Sequence, residues 1–197
     1  MTFGCKNTPP NYETKLQQEL KSEEINNDIF LGFTLQMPKE DFYARCWDMN
    51  KEGQLLHGSS NASVLYKLEN EELKFPARME FYPDFYQGKV YQMLTEFKYA
   101  GWAPWNKEMH AEYLIKDVYT YLKKQHGDFF LADLENKGKV LCNLNGNRRI
   151  IITRISDESK VQVIYSDMTV YPEAQAEKEA RVKNTPQRRV PAWATPK

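Results

Sequence analysis

Cysteine is scarce in this sequence: Cys5, Cys46 and Cys142 are the three among 197 residues. An odd count without C-x-x-C spacing excludes a disulfide framework and a thiolate metal ribbon. The three histidines, His57, His110 and His126, are never three or four residues apart, so no helix presents a paired imidazole site. The nine glycines contain no G-x-G-x-x-G and no Walker spacing, so no phosphate-cradling loop is expected. No G-x-S-x-G elbow occurs. No apolar run approaches the ~18 residues that a membrane-spanning helix needs. An excess of one charge is missing too: 27 Lys+Arg balance 27 Asp+Glu. That balance removes the electrostatic drive of a nucleic-acid binder and of a polyionic disordered chain. What is present is apolar and aromatic mass, 41% hydrophobic and 13% Phe, Trp and Tyr, enough to build a core.

The pattern along the chain predicts an α+β protein. Residues 1–28 are polar and read as a tether with a marginal helix over Glu13 to Glu24. Apolar density rises at Ile29-Phe30-Leu31-Gly32-Phe33. A helix should start at Met37-Pro38-Lys39-Glu40-Asp41, with Pro38 in the first helical position, and stop at Gly53. Three strands are expected next, Ser63–Glu69, Phe75–Tyr82 and Lys89–Tyr99. In the last, the odd-numbered side (Tyr91, Met93, Thr95, Phe97, Tyr99) should face inward. Pro83-Asp84 and Gln87-Gly88 mark the turn before it. A second helix is expected from an Asn106 cap to Gly127, with an apolar stripe of Ala111, Leu114, Ile115, Val118, Tyr121 and Leu122. His126 there suits the negative end of the helix dipole. Strands Lys139–Leu144, Arg148–Ile155 and Lys160–Ser166 should follow, the first two joined by a tight turn at Asn145-Gly146. After Met168 the pattern stops, and residues 169–197 read as a polar, flexible tail containing a short helix at Glu173–Lys183.

Searching for chemistry yields little. Asp133 to Gly138 faintly imitates a calcium loop, but Lys137 stands where an oxygen ligand is required and Leu144 where the loop needs Glu. Cys46 and Cys142 sit beside apolar residues and are expected as small buried hydrophobes. Glu69-Asn70-Glu71-Glu72 reads as a solvated acidic loop. Arg181, Lys183, Arg188 and Arg189 make the tail basic without the aromatic interleaving of a nucleic-acid site. No metal and no cofactor is therefore expected, and the chain is read as no enzyme. An enzyme or small-ligand carrier whose site is assembled from sequence-distant residues is the alternative.

The two halves repeat one order: helix, Gly stop, three strands. Val64-Leu65-Tyr66-Lys67-Leu68 matches Val140-Leu141-Cys142-Asn143-Leu144, and Lys89-Val90 matches Lys160-Val161. Expected units are thus 29–101 and 102–168. This tandem order, with Leu31-Gly32-Phe33 and the Met37-Pro38-Lys39-Glu40-Asp41-Phe42 helix start, resembles the β-lactamase-inhibitor-protein-like group over roughly residues 29–168. The resemblance implies helices packed on one face of antiparallel sheet and the other face open to a protein partner. It carries no catalytic residues.

Thr2-Phe3-Gly4-Cys5 followed by Lys6-Asn7-Thr8-Pro9-Pro10 is similar to the end of a bacterial lipoprotein signal. The similarity implies lipid attachment at Cys5 and a place in the cell envelope. Only four residues precede Cys5, so this expectation requires a start upstream of Met1. A cytoplasmic chain is the alternative.

The residues expected to carry binding are aromatic. Tyr82, Phe85 and Tyr86 crowd one hairpin, and Trp102 and Trp105 lie in the connector after the next strand. Tyr and Trp bury much area at small entropic cost and dominate binding hot spots. The expected function is a non-enzymatic protein-binding or assembly module with an unidentified protein partner. No nucleic acid is expected, and membrane contact only through a lipid on Cys5.

Overall fold

Two tight turns, both legible from glycine chemistry, fix the long hairpins. At Gln87-Gly88 both residues have positive φ, 48° and 76°, the backbone that a two-residue hairpin with natural strand twist requires. The turn joins β5 (Ala77–Tyr86) to β6 (Lys89–Tyr99). The second turn joins β8 (Gly138–Asn145) to β9 (Arg148–Arg154), with Gly146 at φ 56°. A Cβ at Gly146 would lie 2.2 Å from the Glu24 carbonyl oxygen, so no side chain fits there. The turn residues are Gly146 and Asn147, one position later than expected.

The computed structural model describes residues 11–60, 63–69, 72–135, 137–155, 157 and 159–184. Cys5 and the Arg188-Arg189 pair lie outside them. The remaining elements are α1 (Tyr12–Lys21), β1 (Asp28–Phe30), β2 (Phe33–Thr34), α2 (Lys39–Lys51), β3 (Leu55–His57), β4 (Val64–Leu68), α3 (Ala111–His126), β7 (Phe130–Leu134), β10 (Val161–Asp167) and α4 (Tyr171–Asn184). The fold is α+β, with one antiparallel eight-stranded sheet in the order β3-β4-β5-β6-β10-β9-β8-β7 and a small β1-β2 ribbon. A helix followed by four strands occurs twice, and the last strands of the two halves, β6 and β10, pair at the centre. Each half has four strands where three were expected. The missed ones, β3 and β7, are the sheet edges; β3 has only three residues, too few to show a period.

One core spans both halves on one face of the sheet. Met79, Phe81, Met93, Phe97, Ile150, Ile152, Val163 and Tyr165 meet Phe33, Leu35, Phe42 and Met49 and the α3 stripe of Leu114, Val118 and Leu122. The helices α2 and α3 share this face. Pro38 caps α2 with an extended ψ of 145°, so the helix starts one residue later than expected, and α3 begins at Ala111 behind a 3-10 turn at Lys107–Met109 instead of at an Asn106 cap. Strand β6 keeps Met93, Thr95, Phe97 and Tyr99 inward, but Tyr91 is the extra residue of a bulge: Asp84 pairs with Gln92 and Phe85 with Val90. Val90 therefore joins the core, and Tyr91 turns to α4 and accepts a hydrogen bond from Gln175 Nε2 at 3.2 Å. Pro83 sits inside β5 instead of in a turn. Pairing with β4 ends at Phe81, so at Pro83 the strand has a neighbour on one side only and the missing N–H leaves no gap.

The opposite face is not free. Helix α1 starts at an Asn11 cap, whose Oδ1 accepts from the Thr14 amide at 2.9 Å, and buries Leu16. Its Tyr12 packs on a second, smaller cluster of Ala132, Val140, Cys142 and Ile151. Helix α4 buries Ala174 and pairs Lys178 with Asp84 at 2.7 Å. The segments expected as tether and tail thus each carry a docked helix. Their apolar contacts are too few and too widely spaced to register as a helical stripe.

The β8–β9 turn ties these layers together. Asn147 Oδ1 accepts from the Asn26 amide at 2.6 Å, its Nδ2 donates to Asn27 Oδ1 at 2.9 Å, and its carbonyl accepts from the Met168 amide at 2.8 Å. Arg148 Nη1 donates to Asn26 Oδ1 at 2.9 Å and to the Asp28 carbonyl at 2.6 Å. His126 lies beside this clasp, its ring 5.7 Å from that of Tyr165. Burial, with the Arg148 charge adding to it, lowers its pKa to about 4, so the ring is neutral at pH 7 and offers no charge to the helix dipole.

Two outcomes test this core. Thr95 is fully buried in the sheet centre and its hydroxyl has no partner among the described residues. Thr95→Val should raise the unfolding free energy in urea by about 1 kcal/mol, because an unsatisfied buried hydroxyl is removed at nearly constant shape. For His126 the unfolded chain takes up a proton between about pH 6.5 and 4 while the fold does not. Its contribution is therefore complete above pH 6.5 and falls as pH drops, by about 1 kcal/mol between pH 7 and 5 once partial solvation is allowed for. Urea midpoints should show that loss in the wild type and a smaller one in His126→Gln.

Candidate functional site

The five aromatics named from the sequence do not meet on one surface. Phe85 packs inward, its ring 5.9 Å from Phe42 and 6.0 Å from Tyr43. Tyr86 turns the other way, 6.3 Å from Tyr91, beside α4. Tyr82 is 38% exposed on the face away from the core. Trp102 and Trp105 follow the far end of β6, an 11-residue strand that spans roughly 33 Å. Trp102 is pinned by Lys98, whose Nζ lies 4.6 Å from its ring centroid, and by His110 at 6.1 Å; Trp105 is 85% exposed. Alternation within β5 and the length of β6 separate residues that the sequence sets close together.

What the structure does gather is an apolar groove between α2 and the edge strand β3, about 500 Å³ in volume. Tyr43 and Trp47, one helical turn apart on α2, are 54% and 63% exposed along it, and Leu56 of β3 is 39% exposed on the opposite side. Cys46 and Val64 line the floor. Burial pushes the Cys46 thiol up to about 11, against a smaller opposing pull from Arg45, so it is a protonated, unreactive floor residue at pH 7. The groove is built from behind. Phe42, on the inner side of α2, is clamped between Phe33 and Phe85, and Phe85 in turn supports Tyr43. Arg45 Nε donates to the Leu31 carbonyl at 2.8 Å, tying α2 to the β1-β2 turn, where a Cβ on Gly32 would strike the guanidinium at 2.2 Å. Lys39 Nζ lies 5.6 Å from the Phe85 ring and Lys51 Nζ 5.3 Å from that of Trp47, placing a cation at each end. Asn50 Nδ2 donates to the Leu55 carbonyl at 2.8 Å and holds helix and edge strand at fixed separation.

Tyr43 and Trp47 stand on α2 beside its buried residues Phe42 and Met49. Their signal was two large aromatics four residues apart on the side of the helix away from Phe42 and Met49, which a solvated helix face does not need. Leu56 carried no signal, because β3 itself was invisible.

Among the described residues no three His, Cys, Asp or Glu side chains gather to hold a metal ion, and no helix is long and apolar enough to cross a membrane. Cys142 is buried, and burial raises its thiol to about 12 despite Arg149.

The supporting role of Phe85 and the exposure of Trp105 separate in stability. Phe85→Ala removes the ring between Phe42 and Tyr43 and should cost about 2–3 kcal/mol in urea unfolding. Trp105→Ala should stay within about 0.5 kcal/mol of the wild type. Equal losses would show that the connector is packed as tightly as the hairpin.

No protein-family model, no curated protein and no solved structure matches the chain.

Proposed function

We propose that this chain is a non-enzymatic protein-binding or assembly module that takes its partner in the groove between α2 and β3. The observation that carries the proposal is the exposure of Tyr43, Trp47 and Leu56 around one groove, on a rigid helix backed by Phe42 and Phe85. Large apolar side chains held rigid in water lose little entropy on binding and bury much area, the composition of an interface hot spot. Among the described residues the edge strand β3 pairs with β4 alone, so a partner segment can lie along its other side as well as on α2. The helix-plus-four-strand order found twice supports a tandem arrangement, and the groove lies in its first half. A lipid on Cys5 would tether the module to a membrane of the cell envelope; the residues around Cys5 support that part of the proposal.

A photo-crosslinking amino acid in place of Trp47, and separately in place of Trp105, tests the site in cells of the native host. One discrete adduct from position 47 and none from position 105 is the expected result. Tyr43→Ser combined with Trp47→Ser, both exposed, should weaken the same complex at least tenfold, about 1.4 kcal/mol or more, while leaving the thermal unfolding curve cooperative. Absence of an adduct at 47, or equal adducts at both positions, would overturn the proposal.

A further inference from the structure

On the sheet face away from the core, α1 and α4 leave a cleft of about 420 Å³ between them, within the range of small-molecule sites. Arg149 and Ile151 of β9 form its floor. Leu16 and Leu20 of α1 and Met168 and Pro172 at the start of α4 give it apolar walls, and Tyr12 and Tyr171 stand on opposite sides.

Arg149 is the unusual member. It is 6% exposed, on a sheet face where burial favours apolar side chains. Its Nη1 donates to the Tyr12 hydroxyl at 2.8 Å and its Nη2 reaches Ser166 Oγ at 3.5 Å. The Tyr171 ring stacks on the guanidinium with 4.5 Å to the centroid, and Nε has no hydrogen-bond partner among the described residues. Guanidinium stays protonated at any ordinary pH. Among the described residues no carboxylate lies within ion-pair distance of it. Glu13 and Glu135 reach the rim of the cleft, where Lys137 also stands, but they are exposed and make no ion pair with Arg149 among the described residues. A buried cation held only by neutral hydroxyls and a ring is a standing cost of several kcal/mol unless an anion joins it. Its neighbour Arg148 is as deeply buried and its Nε also lacks a partner among the described residues, but its Nη1 is held by Asn26 and the Asp28 carbonyl and it is not among the residues lining this cleft.

We infer that the cleft between α1 and α4 binds a monocarboxylate with an apolar body, its carboxylate on Arg149 and its body between Leu16, Leu20 and Met168. The charge count selects the class. One buried cation is neutralised by one negative charge, whereas a phosphate dianion would leave a buried charge uncompensated. The geometry fits as well. Nε and Nη2 of a guanidinium form one donor edge of the kind that carboxylates take bidentately; here Nε is buried and unpartnered among the described residues, and Nη2 makes only the long 3.5 Å contact to Ser166 Oγ. The Tyr12 hydroxyl accepts from Arg149 and keeps its own proton to donate; burial raises its pKa although Arg149 opposes, so that proton stays on at neutral pH. The half-buried Tyr171 and Leu20 offer apolar surface against which an alkyl or aromatic body loses water.

Titration calorimetry of the full chain with octanoate, octan-1-ol and inorganic phosphate at pH 7 tests the site. The expected result is one octanoate bound per chain, with octan-1-ol and phosphate each at least tenfold weaker. Arg149→Met should weaken octanoate at least tenfold while leaving the urea midpoint equal to or above that of the wild type, since the uncompensated buried charge is gone. Should Arg149→Met unfold, Leu20→Trp, which fills the half-exposed wall and leaves Arg149 in place, must abolish octanoate binding with a native thermal transition. Octan-1-ol binding as tightly as octanoate, several octanoates per chain, binding that survives both variants, or no octanoate binding at all would overturn the assignment.

Discussion

The arrangement of layers depends on the hydrogen bonds made by Asn147 and Arg148. The chain crosses from one sheet face to the other between Ser22 and Asp28, a stretch with almost no apolar side chains to hold it. The β8–β9 turn holds it instead. Asn147 takes the amide of Asn26, the side chain of Asn27 and the carbonyl of Glu24, and Arg148 takes Asn26 and the carbonyl of Asp28. The same Asn147 carbonyl receives the Met168 amide, so the start of α4 is fixed by the turn that fixes the end of α1. Both residues are 3% exposed, and buried charge-assisted bonds of this kind are expensive to leave unmade. Gly146 makes the approach possible, because any Cβ there would displace Glu24.

From that clasp two unlike surfaces follow. On the core face the chain proceeds through the β1-β2 ribbon into α2, and Phe33, Phe42 and Phe85 fill the space beneath the helix. The inner side of α2 is then satisfied, and Tyr43 and Trp47 stand outward with nothing of the described chain to cover them. On the other face α1 and α4 dock at separate places, against β8 and β6, and their separation opens the cleft above Arg149. Successive residues of one strand serve the two sides: Arg148 anchors the crossing segment, Arg149 floors the cleft, and Ile150 and Ile151 point to the two apolar clusters. The period of two in a strand makes this division unavoidable.

Several elements were legible because their signal is local. The Gln87-Gly88 turn needs positive φ at two successive residues, and the α3 stripe repeats at helical spacing through Leu114, Val118 and Leu122. Strand β6 showed its inward side from Met93 to Tyr99, but the bulge that turns Tyr91 outward depends on pairing with β5 and leaves no mark in β6 alone. Helices α1 and α4 were seen as polar segments because each buries little, Leu16 in one and Ala174 in the other; what fixes them are single long-range bonds such as the Gly146 amide with Glu19 and Gln175 with Tyr91. The candidate site was legible only in part. Phe85 belongs to the wall beneath the groove, while Tyr86 and Trp105, near it in sequence, are carried off by alternation and strand length.

The sequence by itself determined the α+β class, the two principal helices, the principal turns and the hydrophobic face of most strands. Those rest on local backbone preference and on periodicities of 3.6 and 2, which a single segment expresses alone. Only the tertiary structure decided the strand order, with β6 beside β10, and the docking of the terminal helices. It also decided the neutrality of His126 and the meeting of Tyr43, Trp47 and Leu56. These depend on contacts between residues far apart in the chain, where burial and the nearest charge set the chemistry and no local pattern records the neighbour.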